Sequence, residues 1–135
     1  VQPGEPPDDR DVVRLGYLPE EDLRSVVAGA VALCLPSRYE GFGLPVLEAL
    51  ACGTPALASD LPVHREIGGE HPTYVPVGDV DAWSQALLEA SRAAADQAGA
   101  QASRRHAAAA TWQRSAALHL AAWRSAAAGR SSSGH

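Results

Sequence analysis

The sequence predicts an α/β fold: a parallel sheet with flanking helices, followed by a long alanine-rich helix. Three observations predict it. Short apolar runs of strand length alternate with helical stretches of about ten residues, the pattern of a parallel sheet built from β-α-β units. Of the 27 Leu, Ile, Val and Phe residues, 24 lie between positions 11 and 90, so one core is expected there. Beyond that point alanine dominates and no strand-like run appears.

The elements follow in order. Residues 1–10, with three prolines and four charges, read as a loop or loose end. Val12 to Leu15 predicts a short strand closed by Gly16. Pro19 opens a helix to about Gly29, with Glu20, Glu21 and Asp22 in its first turn, where the helix dipole favours negative charge. Val31 to Leu35 is a continuous apolar run, as expected of a strand covered on both faces. Pro36 to Leu44 is a loop, and a helix runs from Pro45 to about Cys52, stopped by Gly53. Ala56–Ala58 and Tyr74–Val77 are further strands, and Asp79 caps a helix to about Arg92. Gly99 breaks the pattern, and one helix is expected from Gln101 to Ala128. Trp112, Ala116, His119, Leu120 and Trp123 form one stripe of it that should bury against something. In domain terms, residues 11–98 form the α/β unit, 99–128 the C-terminal helix and 129–135 a disordered tail.

Composition narrows the function. The chain of 135 residues contains no Met and no Lys. Lacking Met, it reads as a fragment or processed product. Lacking Lys, it has no P-loop and no Schiff-base lysine. Residues 1–90 carry fifteen carboxylates against five arginines, an acidic balance that argues against nucleic acid as a partner. Residues 91–135 carry six arginines and one carboxylate; this basic stretch reads as a solvated helix face, with a membrane surface as the other partner it would suit. No run approaches the roughly 20 apolar residues needed to cross a bilayer, and no signal peptide is visible, so a cytoplasmic location is expected. Cys34 and Cys52 read as buried reduced thiols, too few for a zinc site.

The chemistry lies in Pro36 to Asp60, between a strand and a helix, where open parallel sheets bind ligands. Gly41 and Gly43 allow close backbone approach. The N–H groups at the start of the next helix, Val46 and Leu47 among them, suit a phosphate. Glu40 in the loop and Glu48 one turn into the helix suit sugar hydroxyls, which donate readily to carboxylates. A ligand bearing both phosphate and hydroxyls leaves two kinds, a dinucleotide or a nucleotide-sugar. For the dinucleotide, Gly41-x-Gly43 begins a GxGxxG pattern and Asp60 stands near the ribose-binding position, but Val46 replaces the third glycine. An NAD-binding oxidoreductase domain is therefore the weaker reading.

For the nucleotide-sugar, the run from Glu40 to Pro55, EGFGLPVLEALACGTP, resembles the E-x7-E signature of retaining glycosyltransferases with the GT-B fold, of the family-four (glycosyl transferases group 1) type. LGYLPEEDL at 15–23, SDLPVHREIGG at 59–69, VPVGDVDAWSQAL at 75–87 and TWQRSA at 111–116 extend the resemblance over residues 12–124. It implies the later part of a Rossmann-like C-terminal donor domain. Glu40 would contact the donor sugar near the reacting carbon as the catalytic residue. Gly41, Phe42, Gly43 and Leu44 would hold sugar and diphosphate, and Glu48 would take the ribose hydroxyls. Gly16, Tyr17 and Leu18 would pack against the base. No metal and no cofactor is implied, the nucleotide-sugar being the donor substrate.

The family's glycine-plus-basic segment and its acceptor-binding N-terminal domain have no match here. The fragment alone is therefore expected to be inactive, and a non-catalytic nucleotide-sugar binding module is the alternative. Around the motif the blander expectations are a locally packed Phe42 side chain, turn and capping roles for Ser37 and Thr54, and a solvated surface for His64 and Arg65.

Overall fold

A computed structural model describes residues 12–93 and 96–131. Its elements in chain order are α1 (Glu20–Gly29), β1 (Leu33–Leu35), α2 (Leu44–Cys52), β2 (Ala56–Ser59), α3 (Pro62–Gly68), β3 (Thr73–Val75), α4 (Val80–Arg92), α5 (Gln97–Ala108) and α6 (Trp112–Ser131). The strands form one parallel sheet in the order β1-β2-β3, with Leu35 beside Ala58 and Ala58 beside Tyr74. The predicted α/β class with a parallel sheet is the one observed.

The middle strand explains the architecture. All four residues of β2 are buried, and alternate ones serve opposite faces. Ala56 and Ala58 join Val27, Val46, Ala49, Leu50 and Ala107, so α1, α2 and α5 cover one face. Leu57 joins Val75 and Ala86, with Trp83 beside them, so α4 covers the other. Small side chains in β2 let the helices come close, which is how an alanine-rich sequence still makes a dense core. Helix α5 is tied to α2 and α3 by polar contacts as well. Arg104 donates to the Cys52 carbonyl at 2.8 Å, at the negative end of α2, and His106 Nε2 donates to the Ile67 carbonyl at 2.7 Å. Thr54 Oγ1 donates to the Val27 carbonyl at 2.8 Å, closing the end of α1 from within the core.

Several local expectations are corrected. Val12–Leu15 forms no strand, and Val12, Val13 and Leu15 are exposed. Among the described residues β1 is therefore an edge strand, and only one of its faces is covered: Leu33 and Leu35 pack on the core while Cys34 is exposed; Cys52 is half-buried. What burial the Cys34 thiol has still pushes its acidity below that of a free thiol. Gly99 does not break the chain's helix; it sits in the first turn of α5, where its amide donates to the capping carboxylate of Asp96. The break falls at Ala109–Thr111 instead, and Thr111 Oγ1 accepts from the Arg114 amide at 3.1 Å. The stripe on α6 is not buried among the described residues: Trp112 and Trp123 are 81% and 69% exposed. Residues 1–10 lie outside the described residues, as do 132–135 of the expected 129–135 tail, whose first three residues instead continue α6 to Ser131.

Candidate functional site

The loops after β1 and β2 open at the C-terminal edge of the sheet, and residues 36–43 and the start of α2 form one wall of that crevice. Gly43 sets its geometry. It is the residue before α2, buried, with φ +79°, a left-handed turn that aims the helix start back at the loop. The Val46 amide, expected to be open, donates to the Gly43 carbonyl at 3.0 Å, and Pro45 has no N–H. The Gly43 and Leu44 amides have no backbone partner among the described residues, so they are donors this helix end offers, and the expected Leu47 amide makes no bond outside the helix there.

Glu40 is half-buried in the loop and Glu48 is exposed on α2; neither carboxylate has a side-chain partner among the described residues. Both are thus available to hydroxyl donors, and Arg38 is the only cation between positions 36 and 48. Gly41 faces open space. The Phe42 side chain, expected to pack locally, is 54% exposed, and Leu44 is exposed as well. Gly16, Tyr17 and Leu18 lie before α1: Gly16 takes a left-handed φ of +65°, Tyr17 is exposed and Leu18 half-buried. No hydrogen bond among the described residues joins that turn to the 36–43 loop.

Beneath the loop lies a residue that sequence reasoning placed on a solvated surface. His64 is fully buried. Its ring packs under Gly43, where an added Cβ would stand 2.9 Å from His64 Cδ2 and 3.0 Å from Ile67 Cδ1. A sequence signal existed: His64, Ile67 and Gly68 share one side of a short helix, the spacing of a buried face.

Next to it Arg65 grips Asp60 through both carboxylate oxygens, at 2.5 and 2.8 Å, and lies 4.5 Å over the Tyr74 ring. The Tyr74 hydroxyl donates to the Gly69 carbonyl at 2.8 Å and stands 3.0 Å from that of His64; burial pushes its acidity down. Asp60, the sequence's candidate ribose ligand for a dinucleotide, is thus committed to Arg65, whose hydrogen bond holds the Asp60 carboxyl below the usual range. A depressed carboxyl stabilises the fold above its unfolded value of about 4, and loses that contribution as pH falls through the lowered native value. Acid titration followed by circular dichroism should therefore show a limb below about pH 4 that Asp60→Asn flattens.

A broad hollow of about 1100 Å³, lined among others by Thr54, Pro55, Asp96 and Arg104, lies at the opposite edge of the sheet, away from this loop. Among the described residues no helix is long and apolar enough to cross a membrane.

Comparison with known proteins places the chain in a family. The family model described as glycosyl transferases group 1 covers residues 5–92. The chain is 44% identical over 75 residues to the O-antigen chain mannosyltransferase B of Escherichia coli, covering 56% of this chain and 20% of that protein. It is 38% identical over 121 residues to the D-inositol 3-phosphate glycosyltransferase of Mycobacterium avium (strain 104), covering 84% of this chain and 28% of that one. Among solved structures, sucrose-phosphate synthase from Thermosynechococcus elongatus superposes with a TM-score of 0.66 at 27% identity, over 85% of this chain and 30% of that one. The chain thus spans between a fifth and three-tenths of the length of these relatives. With the family model covering well over half of its residues and a GT-B-type arrangement of strands and helices, the chain belongs to the glycosyl transferases group 1 family.

Proposed function

We propose that the chain is the later part of the donor-binding domain of a retaining glycosyltransferase, and that its crevice receives a nucleoside-diphosphate sugar. The observation that carries this reading is the left-handed Gly43 at the start of α2, with Glu40 before it and Glu48 one turn after it, both carboxylates without partners among the described residues. The Gly43 and Leu44 amides suit the diphosphate, which gains negative charge as the sugar leaves. Glu40 suits hydroxyls of the departing sugar, and Glu48 suits the ribose. The acceptor-binding half belongs to residues outside this chain, in keeping with the share of its relatives that the chain spans.

Calorimetric titration with UDP-, GDP- and ADP-sugars and with NAD tests the reading. One sugar nucleotide class should bind saturably. Glu48→Ala should weaken it about tenfold or more, since a hydrogen bond to a charged group is worth roughly 1.5–3 kcal/mol. The same variant should melt with the wild type, because Glu48 is exposed and holds nothing else. Binding of NAD alone, or of nothing, would sink the proposal.

A further inference from the structure

We propose that His64 is the charge-compensating residue of this site: a buried imidazole that takes up a proton when a nucleotide-sugar diphosphate settles on the Gly41–Leu44 loop. The inference rests on the donor-site reading and adds to it a residue and a proton.

Three features of His64 point there. Its Nδ1 lies 2.7 Å from the Ser59 carbonyl oxygen, which only accepts, so Nδ1 carries a hydrogen. In the neutral ring the lone pair is then on Nε2, and Nε2 is buried with no partner. The Ser59 hydroxyl, on the residue whose carbonyl accepts from Nδ1, is the other buried side-chain polar atom without a partner among the described residues. Such groups are rare in native folds and call for an explanation. Finally, the unpartnered edge of the ring is the one turned to the loop. A Cβ on Gly43 would stand 2.9 Å from Cδ2 and 3.4 Å from Nε2.

The electrostatics set the direction. The chain has no Lys, and Arg38 is the only cation between positions 36 and 48, against Glu40 and Glu48. On the surrounding elements, Asp60 and Arg65 neutralise one another, Tyr74 is a neutral phenol, Glu66 is exposed, and His106 is engaged with the Ile67 carbonyl beside His71. None of these supplies net positive charge beneath the loop. In the free chain, the buried Nε2 faces no acceptor for the N–H that an imidazolium would carry there. Two phosphate charges arriving above it change that, and Nε2, protonated from bulk water, becomes a donor facing the anion's loop.

Linkage gives the sign. A group that holds its proton more tightly in the complex makes binding tightest at low pH, and affinity falls as pH rises through the window in which the bound imidazole gives that proton up. Over that window the loss approaches tenfold per pH unit at its steepest, for one linked proton.

The test is calorimetric titration of the chain with UDP-glucose and GDP-mannose, whose bridging diphosphates do not titrate between pH 5 and 9, in buffers of differing ionisation enthalpy. Whichever binds should draw in a substantial fraction of a proton near neutral pH. His64→Gln should bind more weakly at pH 6, with no proton uptake and a flat pH profile, whereas His71→Gln should keep the uptake. Nitrogen NMR of the wild-type imidazoles supplies a measurement that needs no variant: His64 should be the neutral Nδ1–H tautomer when free and doubly protonated in the complex. Saturable binding with a neutral His64 and no uptake overturns this inference and leaves the donor-site reading standing. Absence of binding to either nucleotide overturns both.

Discussion

Replacing Gly43 by alanine is expected to lower stability by about 3 kcal/mol, combining a left-handed backbone penalty of about 1–2 kcal/mol with the overpacking of a filled space. The new methyl would meet His64 Cδ2 at 2.9 Å and Ile67 Cδ1 at 3.0 Å. The His64 ring has little room to yield, being tied through Nδ1 to the Ser59 carbonyl and 0% exposed. The strain sits in the turn that orients the start of α2, so sugar-nucleotide binding should be lost with it. Gly41→Ala is the matched control. That residue has no positive φ, and a Cβ there meets nothing within 4 Å. Its melting temperature should stay with the wild type, while Gly43→Ala should fall by about 10 °C for a domain of this size. If Gly41 faces the diphosphate as proposed, its alanine variant should bind the sugar nucleotide more weakly without melting earlier. Equal melting of the two variants would show that the ring and the turn are not in contact.

The parts of this architecture that the sequence made legible are those with a local cause. Pro19 and three acidic residues mark the start of α1, Gly53 ends α2, and Asp79 caps α4 by accepting from the Ala82 amide at 3.0 Å. Each is settled within one helical turn, so a short window of residues suffices. What was not legible depends on distant neighbours. Val12–Leu15 has strand-like composition, yet strand formation needs a partner edge, and the residues themselves do not reveal whether one is occupied. Gly99 reads as a stop because glycine usually ends a helix, whereas Asp96 three residues earlier accepts from its amide and makes it part of a helix start. At the site, the pair Glu40 and Glu48 and the glycines between them stood out by residue type and spacing. His64 did not, because a single histidine among Pro, Val and Arg gives no sign of facing inward until α3 is seen packed under the loop.

Cutting the chain after Ala110 is expected to leave the melting transition within about 2 °C, while cutting it after Arg92 should abolish cooperative unfolding. The difference lies in what each helix covers. Among the side chains described in α6 only Ser115 is even half-buried, and the contact that Trp123 makes is an edge-on approach to His119 within the same helix, 6.4 Å between ring centres. Its helicity rests on alanine propensity and on a length of 20 residues, which is only marginally enough for an unsupported helix in water. It should therefore lose its ellipticity gradually, ahead of the main transition. Helix α5 is different. It places Ala107 in the same cluster as Ala49 and Leu50, which are 0% and 1% exposed, and it binds the Cys52 and Ile67 carbonyls through Arg104 and His106. Removing it uncovers that face of α2, and burial of one leucine-sized side chain alone is worth about 1.5–3 kcal/mol. Against a domain stability of roughly 5–15 kcal/mol, losing this and two polar anchors leaves too little to hold the sheet. Urea titrations of the two truncated chains measure this directly. An equal loss from both cuts would mean that α6 packs on the α/β unit; a cooperative transition surviving without α5 would mean that α1 and α2 close the core unaided.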